Sequence, residues 1–170
     1  MNDHVVGLRD RYRSRGILVD TNLLLLFFIG LFDREQIRRF KRTKTYSGED
    51  YDILNRFLSQ FARVITTPNI LSEVSNLSGQ MGEPARSRCF QNFAAKIDLL
   101  AGKGRLAEQY VASAEAVKLD EFPKLGLTDS GIFRLVKGKY LVLTDDLRLH
   151  AILEYHGIDS INFNHLRSIA

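Results

Sequence analysis

The sequence predicts an α/β domain of three layers, α/β/α, with a short parallel sheet of four or five strands. Three observations carry this. Gly16-Ile17-Leu18-Val19 and Tyr140-Leu141-Val142-Leu143 are short apolar runs of the buried-strand type. Each runs directly into carboxylates, Asp20 in one case and Thr144-Asp145-Asp146 in the other. Such runs alternate with segments of helical period, which implies parallel strands joined by right-handed crossovers.

The elements follow in order. Residues 16–20 read as a strand and 21–31 as a buried helix. A basic helix is expected over 33–41 and a loop over 42–48. Ser47 can cap a helix over 49–60, where Ile53, Leu54, Phe57, Leu58 and Phe61 recur at helical spacing. Arg63 to Thr66 is a short strand, and Thr67-Pro68 opens a helix over about 68–78 with Pro at its first position. Gly79 to Pro84 breaks the pattern, and helices are expected near 85–101 and 105–118. A loop over 123–127 precedes a helix over 129–137, capped by Thr128 and ended by Gly138. A strand at 140–143, a helix at 147–156 and a strand at 159–162 close a single domain spanning 1–170.

Composition narrows the classes. A hydrophobic fraction of 45% against 26% charged residues is globular. The lone Cys89 excludes an internal disulfide and a cysteine-based zinc site, and fits a reducing cytoplasm. The start, Met1-Asn2-Asp3-His4, does not read as a signal peptide. The apolar stretch Leu23 to Phe32 is shorter than the roughly 20 residues a membrane span needs. A cytoplasmic location and no membrane partner are therefore expected. No P-loop, Gly-x-Gly-x-x-Gly or Gly-x-Ser-x-Gly is present. The histidines share no metal-ligand spacing, so His150 and His156 are expected at the surface or at a cap, and Cys89 in the core.

Net charge is +4, compatible with a polyanionic partner. Arg9, Arg11, Arg13 and Arg15 crowd the N-terminus. Arg34, Arg38, Arg39, Lys41, Arg42 and Lys44 form a second cluster, which can contact RNA phosphates or simply be a solvated helix face. Tyr46 and Tyr51 flank it, to stack on bases or to pack.

The acids carry the chemistry. Asp20 and the 145–146 pair stand at the ends of strands. Glu73 falls about 60° from Ile70 and about 40° from Leu77 on its helix, at the edge of the apolar stripe. Asp129 stands about 60° from Ile132 in the same way. Each alone has a structural reading: Asp20 as a helix cap, Asp129 at the positive end of a helix dipole, Asp145 or Asp146 likewise, and Glu73 in an arginine pair. No structural rule requires all of them at one sheet edge. Mg²⁺ or Mn²⁺ does require hard oxygen ligands gathered from several elements.

Ile17-Leu18-Val19-Asp20-Thr21-Asn22 resembles the opening motif of the PIN-domain family, a strand ending in Asp, then Thr or Ser, then Asn. The later acids follow in matching order: Glu73, then Asp129 in Leu127-Thr128-Asp129-Ser130, then the last acid in Val142-Leu143-Thr144-Asp145-Asp146. The resemblance covers a core of about residues 16–162. It implies a PIN-like fold and a Mg²⁺- or Mn²⁺-dependent endoribonuclease, of the kind that includes toxins of toxin–antitoxin pairs, with RNA as substrate and a protein antitoxin or a second copy as partner. It assigns Asp20, Glu73, Asp129 and Asp146 to catalysis and the metal site, with Asp145 able to substitute for Asp146. Thr144 is implied to hold the acid loop through its hydroxyl, and Asn22 to orient Asp20 or a water. Two other readings stay open. One is a PIN-like domain that binds RNA or protein without cutting. The other is an aspartyl-phosphate enzyme using Asp20, although Asn22 stands where such a site wants a second Asp.

Overall fold

A computed structural model describes residues 3–168. Residues 1, 2, 169 and 170, which the single-domain expectation also spans, lie outside the described residues. Five strands form one sheet: β1 (Ile17–Val19), β2 (Val64–Thr66), β3 (Leu106–Glu108), β4 (Leu141–Thr144) and β5 (Ser160–Asn162). All pairs are parallel and the order is β3-β2-β1-β4-β5. Ile17, Leu18 and Val19 are 0% exposed, as expected for the middle strand of a sheet covered on both sides.

The chain steps from β1 through β2 to β3 in one direction, then returns past β1 to β4 and β5. Right-handed crossovers place the helices of the two excursions on opposite faces. One layer holds α2 (Thr21–Phe32), α3 (Gln36–Arg39), α4 (Gly48–Leu58), α5 (Pro68–Ser78) and α6 (Ala85–Gly102), with α2 touching all four of the others. In the other, α8 (Phe122–Val136) packs on α7 (Ser113–Ala116) and on α9 (Leu147–Tyr155), and α1 (Asp3–Tyr12) lies against β4. The short α10 (Phe163–Arg167) touches β5 and α4.

Helix α2 is the centre of its layer. Leu23 through Ile29 are all buried, so the helix is apolar all round, as the sequence predicts. Each buried leucine of this kind contributes about 2 kcal/mol relative to exposure. Gly30 lets Tyr51 lie against it: a Cβ there would stand 2.1 Å from the tyrosine ring. The loop before α4 is fixed by a reciprocal cap, in which Ser47 accepts from Asp50 N and Asp50 accepts from Ser47 N. Asp50 also takes two bonds from Arg167.

Several expectations are corrected. The helix expected over 105–118 is instead the edge strand β3 followed by the single turn α7; pairing with β2 overrides a segment with no β-branched residue at 106–108. The basic helix expected over 33–41 is only Gln36–Arg39. Residues 122–125 are helical rather than loop, and Gly126 at φ 72° interrupts the helix. His150 is not at the surface: it is buried and its Nδ1 lies 2.7 Å from Ser160 Oγ. His156 does cap α9, and Cys89 is in the core. Helices α1 and α10 had no clear sequence signal.

Candidate active site

The chain leaves β1 and β4 towards opposite ends of the sheet. The loops after these two strands therefore part and leave a crevice at their C-terminal ends, the usual ligand position in open α/β sheets. A cleft of about 310 Å³ lies there. Asp20, Glu73, Asp129 and Asp146 all line it, delivered by β1, α5, α8 and the β4–α9 loop. Thr21, Asn22, Leu77, Leu149 and the 125–128 segment complete its wall.

Asp20 is 5% exposed and held by three donors. Its Oδ1 accepts from Leu23 N at 3.0 Å, which makes it the cap of α2 as well. Its Oδ2 accepts from the Thr144 hydroxyl and from Asp145 N at 3.2 Å. These bonds favour the carboxylate, but burial and the neighbouring Asp145 charge outweigh them and push its pKa up to about 7. Thr144 also accepts from Asp146 N at 3.0 Å, so one buried hydroxyl ties the loops after β1 and β4 together.

Asp146 caps α9, its Oδ1 accepting from Arg148 N at 2.7 Å and from Leu149 N at 3.1 Å. Asp145 points elsewhere. It accepts from the Tyr46 hydroxyl and from Asn22 Nδ2 at 3.4 Å, and it does not line the cleft. Between the two candidates for the fourth acid, only Asp146 faces the other three. Asn22, expected to orient Asp20 or a water, bonds Asp145 instead while still lining the cleft.

The helix-borne acids are held more loosely. Glu73 Oε2 accepts from Thr21 Oγ1 at 2.9 Å, not from an arginine. Asp129 accepts no hydrogen bond among the described residues, and burial with the charges of Asp146 and Glu73 pushes its pKa up to about 6. Both oxygens of Asp129, one of Glu73 and one of Asp146 thus remain free to bind a ligand. These are hard donors of the kind Mg²⁺ or Mn²⁺ takes, and in this respect the residues fit such an ion. They are not drawn together, however: among the described residues no three His, Cys, Asp or Glu side chains form a group able to hold an ion.

The basic cluster stands apart from the acids. Helix α2, about 18 Å long, lies between the cleft residues Thr21 and Asn22 at its start and Arg34 just past its end. Arg34 pairs with Asp52 at 2.5 Å, and Arg39 approaches Glu35 at 3.9 Å. Arg42 donates to Gln80, one turn past the cleft residue Leu77. Arg38 and Lys41 are exposed. Tyr46 and Tyr51 pack rather than project, Tyr46 on Asp145 and beneath Arg167.

Sequence reasoning missed a role for Thr21 and, although it named packing for Tyr46, missed its bond to Asp145. Thr21 had a signal, since it lies inside the Asp-Thr-Asn motif; Tyr46 reaches Asp145 only through tertiary structure. Among the described residues, no helix is long and apolar enough to cross a membrane. Compared with known proteins, the chain matches no family model and no curated protein sequence.

Proposed function

We propose that the protein is a PIN-like endoribonuclease that uses Mg²⁺ or Mn²⁺. The observation that carries this is that four carboxylates from four separate elements line one cleft at the switch point of the sheet. Two of them double as helix caps, but capping explains neither Glu73 nor Asp129.

Asp20, Glu73, Asp129 and Asp146 would hold the ion. When bound, it supplies Lewis acidity towards water and the scissile phosphate. The chain's own part is positional. Thr144 fixes Asp20 and the Asp146 loop relative to each other, and Thr21 aims Glu73. Leu77, Leu125 and Leu127 line the wall beside the acids. The cleft's negative charge alone would repel phosphate, and burial, with the charge of Asp145 beside Asp20 and of Asp146 and Glu73 beside Asp129, raises the pKa of those two acids. Arg38, Arg39, Lys41 and Arg42 are candidates for RNA contact, and Arg34 less so because Asp52 holds it.

A non-cutting PIN-like binding domain is the second reading, kept because among the described residues no three of the acids form a closed ion-holding group. The deciding experiment is cleavage of a mixed RNA pool with Mg²⁺ or Mn²⁺ by wild type and Asp20→Asn in parallel. Cutting by wild type alone is expected. Equal cutting by both marks a contaminating nuclease, and binding without cutting supports the second reading. A small adjacent gene encoding a partner that blocks cutting would make the protein the toxin of a toxin–antitoxin pair. A homodimer is part of the same proposal and is read by sedimentation.

A further inference from the structure

The acids gather at the C-terminal edge of the sheet, and the opposite edge carries the opposite charge. Parallel strands begin together, so residues just before each strand form a row. The register sets Leu106, Val64, Ile17 and Leu141 side by side. Immediately before them stand Arg105 and Arg63, and one residue further back Arg15 and Lys139. At about 4.8 Å per strand the row is roughly 14 Å wide.

The backbone beneath this row is fixed. Arg13 O accepts from Ala62 N at 2.7 Å, Arg63 O from Ile17 N at 3.1 Å, and Arg105 O from Val64 N at 2.8 Å. Arg13 and Arg105 also face one open cavity of about 510 Å³ beside Ser14, Ser59 and Gln60. Arg105 Nη1 donates to the carbonyls of Phe61 and Ala62, which holds the guanidinium in place. Asp10 and Asp159 lie at this edge but are paired with Arg9 and Arg11.

Part of this charge has a structural cause. Lys103 and Lys137 cap the C-terminal ends of α6 and α8 and complement their dipoles. Arg15 donates to Gly138 O. Arg13, Arg63 and Lys139 are exposed and have no such role.

We propose that this edge is an RNA-binding surface that takes the phosphates of a single strand, on the side of the molecule away from the acid cleft. The identity of the polyanion as RNA rests on the ribonuclease reading. The cleft alone repels phosphate, and a remote basic row supplies attraction through counterion release without neutralising the acids. An anionic membrane fits less well: no large apolar side chain is exposed among residues 9–15, 61–63, 103–106 or 137–140 to insert into it.

The test is binding of an unstructured single-stranded RNA in EDTA, followed by fluorescence anisotropy over a range of salt, so that no cutting is needed. The triple variant Arg13→Gln, Arg63→Gln, Lys139→Gln is compared with Arg86→Gln, Arg88→Gln, Lys118→Gln, which removes equal charge elsewhere. Three lost contacts at roughly 0.7 each lower the log–log salt slope by about 2, which is on the order of 100-fold in affinity at 0.1 M salt. The control triple keeps the wild-type slope. If the edge triple melts abnormally, its three single variants are read, each expected to lower the slope by about 0.7. Unchanged binding by the edge variants, equal loss in the control triple, no RNA binding by wild type, or tighter binding to phosphatidylserine vesicles than to RNA each overturns the proposal. Failure of the nuclease reading looks different: wild type leaves RNA uncut while the edge variants still lose binding.

Discussion

The two halves of the acid cleft are built differently. On the strand-borne side, Asp20, Thr144 and Asp146 share a closed set of hydrogen bonds, and Asp20 alone takes three donors. On the helix-borne side, Glu73 has one bond to Thr21 and Asp129 has none among the described residues. The first half is settled by folding. The second leaves charge unsatisfied, and a polar group without a partner in a partly buried place is costly unless something else binds it. The difference separates acids fixed by hydrogen bonds from acids that keep free oxygens.

The largest effect on stability should come from breaking the settled half. Thr144→Val keeps the shape but removes the hydroxyl that donates to Asp20 and accepts from Asp146 N. With buried Asp20 short of one of its three donors and the part-buried Asp146 N–H short of its acceptor, urea unfolding should show a loss of about 2 kcal/mol.

Substitution in the other half should act in the opposite direction. In EDTA, Asp129→Asn loses no hydrogen bond and relieves a carboxylate whose pKa stands at about 6 against an ordinary 3.8. A gain of about 1–2 kcal/mol at pH 7.5 is expected after discounting for partial exposure. The sign follows from proton binding. Between pH 3.8 and about 6 the native state holds a proton that the unfolded chain has released, so this group's contribution to stability falls as pH rises through that window and is level above it. Asp20 acts in the same way up to about pH 7. Buried His150, with its pKa lowered, costs stability as pH falls through 6.5, so the difference between wild type and variant is the quantity to read. A variant advantage that grows from pH 4 to pH 6 and then levels off is expected.

Tyr46→Phe should cost less, about 1 kcal/mol, because Asp145 keeps Asn22 and gains access to water. Its sharper use is in Mn²⁺ affinity. If Asp146 and not Asp145 serves the cleft, affinity measured by calorimetry should change less than threefold, a free-energy difference of roughly 0.6 kcal/mol. Arg38→Ala with Arg39→Ala should have the smallest effect on stability, within about 0.5 kcal/mol, since both are exposed. It should weaken RNA binding across sequences and flatten the salt dependence.

Much of this was legible in the sequence because it depends on local pattern. The apolar runs ending at Asp20 and Asp145, and the alternation with helical periods, specify the parallel sheet and its acidic edge. The placement of Glu73 and Asp129 at the margins of apolar stripes anticipates their facing the cleft. Elements fixed by tertiary contact were not legible. Leu106-Ala107-Glu108 forms a strand only because β2 offers an unpaired edge. His150 is buried because Ser160, in a strand ten residues later, gives it a partner. The division of labour between Asp145 and Asp146 turns on Tyr46, which is 99 residues away from Asp145 and carries no motif.

If the four acids form one cation site, Mn²⁺ stabilises the fold through them. The most direct test is a thermal melt at pH 7.5 with and without Mn²⁺, on wild type, Asp20→Asn and Asp129→Asn. Binding at 100 times the dissociation constant adds about 2.7 kcal/mol, which raises the melting temperature by roughly 5–10 °C for a chain of this size. The account predicts that rise in wild type and its loss in both variants. No shift in wild type, or the same shift in all three proteins, would contradict it.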